Sequence, residues 1–341
     1  MFSQQSIFTK NNFKWMVLFL LLLITFFSSL FMGRYTISPE NTFIVLVNAL
    51  QGNIAQDMNS SIILGMRLPR TILSMLLGAG LAIAGSTYQG IFRNPLVSPD
   101  VLGVSSGAGF GSVLGILLFG MSATTSLLAF VFGLGSVFLT YLFARARGQT
   151  TMMSLVLSGM IVSAIFAALI SLVKYVADPY DALPAITYWL MGSFSKATFE
   201  DLRYIFIPLT ASLAVLNLVR WRINILSLGE EESKSLGVNP TRIKFIAIIA
   251  STVLTALSVT VVGIVGWVGL VIPHITRLLF GVDHKVLLPA SCFIGAIFLT
   301  VVDIVSRSVI SAEIPIGIIT ALLGAPFFGF LLKYTNQKGA W

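Results

Sequence analysis

The stretch "MRLPRTILSMLLGAGLAIAG" (residues 66–85) begins with Arg67 and Arg70 around a Leu-Pro pair and then runs without a charge. An α-helix rises 1.5 Å per residue, so about 20 apolar residues cross a bilayer's hydrocarbon. A span over 71–92 follows, with two arginines at its mouth. The rest of the chain shows that such spans are the rule. Of 341 residues, 56% are hydrophobic and only 10% charged, with a mean hydropathy of +0.94. Soluble domains carry about 25% charged residues. The expected fold is all-α, a polytopic membrane protein forming one transmembrane domain over 1–341.

Ten candidate spans are legible, near 15–33, 71–92, 101–119, 124–143, 151–175, 202–219, 243–265, 268–280, 286–306 and 314–333. Residues 41–50 are too short to cross and read as a helix near the surface. The run at 15–33 exceeds the 7–15 residues of a signal-peptide core and lacks a small-residue cleavage site, so it reads as a retained first span. Loops on the cytoplasmic side carry excess Lys and Arg. Fourteen of the 21 basic residues, including Arg147 and Lys338, fall on one side if both termini are cytoplasmic. Tails at 1–14 and 334–341 and a loop at 220–242 then lie inside. Arg67, Arg70 and Arg307 fall on the other side, against the trend.

Several classes are excluded. The net charge of +8 is the ordinary signature of basic loops in a membrane protein, so no nucleic-acid partner is expected. The single Cys292 permits no disulfide framework. His274 and His284 are not spaced as a metal pair, and no catalytic carboxylate cluster occurs, so no metal, no catalytic residue and no enzymatic activity are expected. No P-loop motif is present, so the chain binds no nucleotide that way. Asp303 is the clear charge within a span. Arg307 lies four residues on, on the same helical face, which reads as an ion pair near the outer end.

Two punctuated stretches remain. "FRNPLVSPDVLGVSSGAG" (92–109) is rich in Gly, Ser and Pro, and irregular backbone at membrane depth is tolerated only where it is buried or lines a cavity. Asn94, Pro95, Pro99 and Gly103 would shape a pathway or gate there; close packing of helices through small residues is the alternative. "GLVIPHITRLLFG" (269–281) shares its pattern weakly, as an inverted repeat would. Between the sixth and seventh spans, Glu230, Glu231 and Glu232 precede a Gly237 stop and an Asn239-Pro240 break. This reads equally as a short helix with its acids at the N-terminus or as a solvated loop.

Together "RLPR" (67–70), "GAGLAIAGSTYQGIFRNPLVSPDVLGVSSGAG" (78–109), "YWLMGS" (188–193), "LGEEESKSLGVN" (228–239), "GWVGLVIPHITRLLFGVDHK" (266–285) and "VVDIVSRSVISAEIPIGIITALLGAPFF" (301–328) resemble the FecCD family. These are permease subunits of type II ATP-binding-cassette (ABC) importers for iron–siderophore complexes, haem and cobalamin. The resemblance implies a vitamin-B12-importer-permease-like bundle of ten helices. It implies a homodimer or a pair of paralogues in a bacterial or archaeal cytoplasmic membrane, with two ABC ATPase subunits below and a periplasmic or lipoprotein binding protein above. It places Arg67, Arg70 and Arg307 as outward receptors for the binding protein's glutamates, with snorkelling anchors at lipid headgroups as the competing reading. It assigns Glu231, Glu232, Ser233 and Gly237 to a coupling helix. ATP and Mg would belong to the partner ATPase, with no cofactor in this chain. The cargo implied is an iron(III)–siderophore, with haem, cobalamin or molybdate as alternatives. A secondary transporter working without an ATPase, or a structural membrane protein, are the rival classes.

Overall fold

The structure, a computed structural model, describes residues 2–53, 55, 57–145, 151–310 and 312–337, and the side chains of all of these except 2–11, 332 and 334–337. Arg147 and Lys338 lie outside the described residues, as do 338–341 of the anticipated tail. Among the described residues all regular structure is helical. Thirteen helices carry the fold: α1 (Phe2–Phe31), α2 (Pro39–Leu50), α3 (Leu68–Phe92), α4 (Val104–Phe119), α5 (Ala123–Ala144), α6 (Met152–Val176), α7 (Ala182–Met191), α8 (Phe199–Leu226), α9 (Glu230–Ser235), α10 (Pro240–Val262), α11 (Val268–Phe280), α12 (His284–Ser308) and α13 (Ile316–Gln337).

Each of the ten expected spans coincides with a helix. Seven are long and apolar enough to cross a membrane, while α4, α11 and the apolar part of α13 are shorter. Short helices suffice only where protein, not lipid, surrounds their ends. The reading at 41–50 coincides with α2, whose N-cap Ser38 accepts a hydrogen bond from Asn41 N. The short α7 was not foreseen.

The largest departure concerns the opening stretch. The second span does not start near residue 71. A helical turn (Met58–Ser60), capped by Asp57, leads through a π-helical segment (Ser61–Arg67) into α3, so Met58–Phe92 is one continuous helix of 35 residues. Pro69 therefore sits inside a helix and not in its first turn. Proline cannot donate to the i−4 carbonyl and crowds it; the wide π turn immediately before it relieves both problems.

This helix is the axis of the fold. In its most apolar window 78% of residues are buried, against 22% in α1. A helix that is apolar all round belongs in the interior, and its small residues let neighbours come close. A Cβ added at Gly78 would fall 2.3 Å from Gly295 O of α12, and one at Gly85 only 1.8 Å from Gly269 O of α11. Interhelical hydroxyl bonds fix the crossings: Ser74 to Thr300 at 2.9 Å, Ser86 to Ser291 at 2.7 Å, and Thr71 to Ser29 of α1 at 2.7 Å. Without a hydrophobic drive between helices in lipid, such close packing and bonding do the assembling.

Candidate docking, coupling and gate sites

The deep placement of residue 67 decides the fate of the expected docking arginines. Three turns of helix now precede Arg67 and Arg70, and α1, α12 and the loop after α12 close over them. All three arginines are buried, each about 5–7% exposed. Arg67 donates to Leu30 O at 2.7 Å and to Tyr35 O. Arg70 Nε lies 2.9 and 3.1 Å from the two oxygens of Asp303, and its Nη1 and Nη2 grip Glu313 bidentately at 2.8 and 3.0 Å. Arg307 pairs with Asp303 at 3.4 Å, the ion pair expected from their spacing, and donates to Ser29 O and Oγ at 2.6 Å. The guanidinium forks are thus engaged within the chain and present no free face outward. Buried charges are tolerated when paired and hydrogen-bonded; a fully buried Asp303 pairs with both Arg70 and Arg307 here, and Arg307 Nε alone of the cluster's donors is buried without a hydrogen bond.

Glu313 was missed in the sequence. It stands alone in the "SAEIP" loop, and no local spacing links it to Arg70. Its side chain, 32% exposed, is the part of the cluster that reaches the surface.

At the far end of α3 the irregular stretch is folded tightly. Arg93 takes a left-handed conformation (φ 50°), ending the helix, and its Nε and Nη2 donate to Leu226 O at 3.1 and 2.9 Å. Asn94 Oδ1 accepts from Leu96 N at 2.9 Å, an Asx turn. Pro95 O accepts from His274 Nε2 of α11 at 2.9 Å. Pro99 opens a 3₁₀ turn (Pro99–Leu102), its ring against Gly269, and Gly103 closes it at φ 81°. Leu102 O accepts from Thr140 of α5 at 3.0 Å. Beyond it, α4 lies on α5 through Gly107, Gly111 and Gly115, each facing α5 atoms with no room for a Cβ. Close small-residue packing therefore holds from Gly103 onward. Of the four named residues, Asn94 and Pro95 line a cavity of about 720 Å³, walled also by Gln89, Arg93, Asn224, His274, Arg277 and His284. Pro99 and Gly103 lie away from it. The wall residues on α8, α11 and α12 were not singled out from sequence, because their convergence is tertiary.

Beside this cavity lies the acidic segment, and it is a helix. Ser233 is fully buried, its hydroxyl donating to Ile225 O at 3.1 Å and to Gly229 O. Val238 N bonds Ser233 O at 2.9 Å and Gly237 N bonds Lys234 O at 2.9 Å, with Gly237 at φ 76°. This is the double bond of a Schellman stop, which favours glycine. Glu231 and Glu232 are exposed, as are Leu228 and Leu236. Glu230 accepts from Lys244, which holds its carboxyl below the ordinary glutamate value, and Glu231, 2.8 Å from Lys234, raises that ammonium. α9 is thus pinned underneath by Ser233 and at its start by Lys244, leaving one acidic and apolar face outward.

The profile of the FecCD transport family matches residues 21–334. The chain belongs to the FecCD transport family. Among its relatives, the molybdate import system permease protein MolB of Haemophilus influenzae is 43% identical over 325 residues, covering 94% of this chain and 95% of that one. An iron chelatin transport system permease protein of Helicobacter pylori is 42% identical over 277 residues, covering 81% and 84%. A solved ABC transporter of the metal-chelate type, in an inward-facing conformation, superposes with a TM-score of 0.84 at 41% identity, covering 94% of this chain and 98% of that one. This FecCD protein is a multi-pass ABC-importer permease, a transport subunit that works with ABC transporter partners.

Proposed function

We propose that the chain forms the membrane pathway for an iron(III)–siderophore or a similar metal chelate in a cytoplasmic membrane. Two ATPase subunits supply the energy, and hydrolysis takes place in them. The supporting observation is the polarity of the bundle. One end carries a rigid arginine–carboxylate cluster. The other carries an exposed acidic helix beside a cavity at the ends of α3, α8, α11 and α12. The cytoplasmic side is the end holding α9, Arg93 and Arg277, where the basic loops gather.

On this reading α9 enters a cleft of the ATPase, with Glu231 and Glu232 offered to basic groups and Leu228 and Leu236 to apolar ones. A binding protein docks at the opposite end. Because Arg70 already holds Glu313, a partner carboxylate gains the fork only by exchanging with Glu313. The second permease is an identical copy or a paralogue. Molybdate is the second reading for the cargo, favoured by the 43% identical MolB.

The deciding experiment is uptake by cells with and without the gene, offered labelled ferric siderophore, haem, cobalamin and molybdate in parallel. Loss of ferric siderophore uptake supports the main reading, and loss of molybdate uptake alone replaces it with the second. Unchanged uptake of all four overturns the chelate assignment. For docking, Glu313→Gln should tighten binding-protein affinity several-fold by freeing the fork; weaker binding would count against exchange.

A further inference from the structure

Seven buried side-chain polar atoms among the described residues have no hydrogen-bond partner, and three of them belong to residues that wall one cavity. They are Arg277 Nη1, His284 Nε2 and Gln89 Oε1. A buried donor or acceptor without a partner is costly, and most of all on a charged group. Gln89 Oε1 is an acceptor, and so is His284 Nε2 once Nδ1 donates to Asn224 Oδ1, so only Arg277 Nη1, on the wall of a cavity of about 720 Å³, asks for an acceptor.

The unmatched charge is positive. Among the described residues Arg277 forms no ion pair, and it shares the cavity wall with both His274 and His284. Neither histidine supplies it a negative charge. His274 Nε2 donates to Pro95 O, and His284 Nδ1 lies 3.2 Å from Asn224 Oδ1, which also accepts from His284 N. With Oδ1 committed to those two donors, the Asn224 amide nitrogen remains available. The Asn94 amide nitrogen is free in the same way, because its oxygen accepts from Leu96 N. The one carboxylate lining the cavity, Asp283, caps α12 by accepting from Lys285 N at 2.9 Å. Glu230 sits nearer Arg93 and is held by Lys244. Arg93 is exposed and donates two of its N–H groups to the Leu226 carbonyl.

We infer that this cavity is a binding site for a small tetrahedral oxyanion, with Arg277 as its principal charge partner and the amides of Asn94 and Asn224 as neutral donors. A guanidinium presents a fork matched to such oxygens. Two sources share the chemistry: a transported oxyanion such as molybdate, and the inorganic phosphate released by an ATPase. The site does not depend on the chelate reading above, because phosphate would reach it whatever the cargo.

The test is equilibrium dialysis of the purified full-length chain in detergent against labelled molybdate and, separately, labelled phosphate. Saturable binding of either anion is expected, and binding of one but not the other names the source. Arg277→Gln should weaken it about tenfold or more, whereas Arg203→Gln, an exposed arginine at the opposite end, should leave it unchanged. Thermal melting without anion separates ligand binding from architecture. Removing an unpaired charge should leave the melting temperature unchanged or raise it, and a fall would mark Arg277 as structural and overturn the inference. Absence of binding of both anions up to about 10 mM, or equal binding by wild type and Arg277→Gln, would also overturn it. So would binding by the chain that vanishes once ATPase subunits are assembled on it, which would give the socket to a partner's acidic side chain.

Discussion

The two ends of α3 treat buried arginine in opposite ways. At the Arg67 end, Arg70 and Arg307 converge on Asp303, Glu313 adds a bidentate grip, and Arg67 is absorbed by the carbonyls of Leu30 and Tyr35. At the Arg93 end, Arg277 has no acid among the described residues and its Nη1 has no partner, whereas Arg307 Nε, also without a hydrogen bond, still lies 3.4 Å from Asp303. A paired buried charge belongs to the architecture, whereas an unpaired one is costly unless something else visits it. The first end is therefore built to stay as it is, and the second is built to be completed.

The sharpest way to break this contrast is Asp303→Asn. It leaves two buried guanidinium groups short of their counter-charge, and breaking a buried pair costs about 3–5 kcal/mol. Thermal melting in detergent should show a large loss, and a near-silent variant would make the cluster no more structural than the other end. In the same assay Arg277→Met should show no loss, since no described residue pairs with that charge. A smaller effect is expected at Ser233→Ala. The hydroxyl holds α9 to the end of α8, so about 1 kcal/mol of local anchoring should go. Hydrogen exchange across 230–238 should quicken while the bundle stays protected. The smallest effect is on pH. The Glu230 carboxyl titrates below its ordinary 4.5 because Lys244 donates to it. The anchoring is therefore full above about pH 4.5 and is lost as pH falls through the depressed value. Exchange at the start of α9 should accelerate only in that acid range, and acceleration near neutrality would show that another group sets it.

What the sequence made legible was what local rules govern. Hydropathy located the helices, the four-residue spacing of Asp303 and Arg307 predicted their pairing, and Gly237 marked a stop that takes Schellman form. What stayed hidden required distant segments to meet. The hydrophobic run after Arg70 looked like the start of a span because "SIILGMRLPR" contains two arginines and a proline, all usual at a helix mouth. Only the packing of α1 and α12 against it permits those residues inside a continuous helix. Glu313 pairs with a residue 243 positions away, and the cavity draws its walls from α3, α8, α11 and α12 and the loops beside them. No periodicity signals such meetings.

The unbroken run of Met58–Phe92 has a further consequence. With 3.6 residues per turn, each residue advances the helix by about 100°, so the azimuth of Arg70 and that of Gln89 are locked to one another through the intervening turns. One residue added near Gly80 would swing the lower half by about 100° and lift it 1.5 Å, turning Gly85 away from Gly269 and Gln89 away from the cavity. The two ends are thus phased like marks on a single shaft. The same turns that fix this phase are the path by which a twist at one end would reach the other.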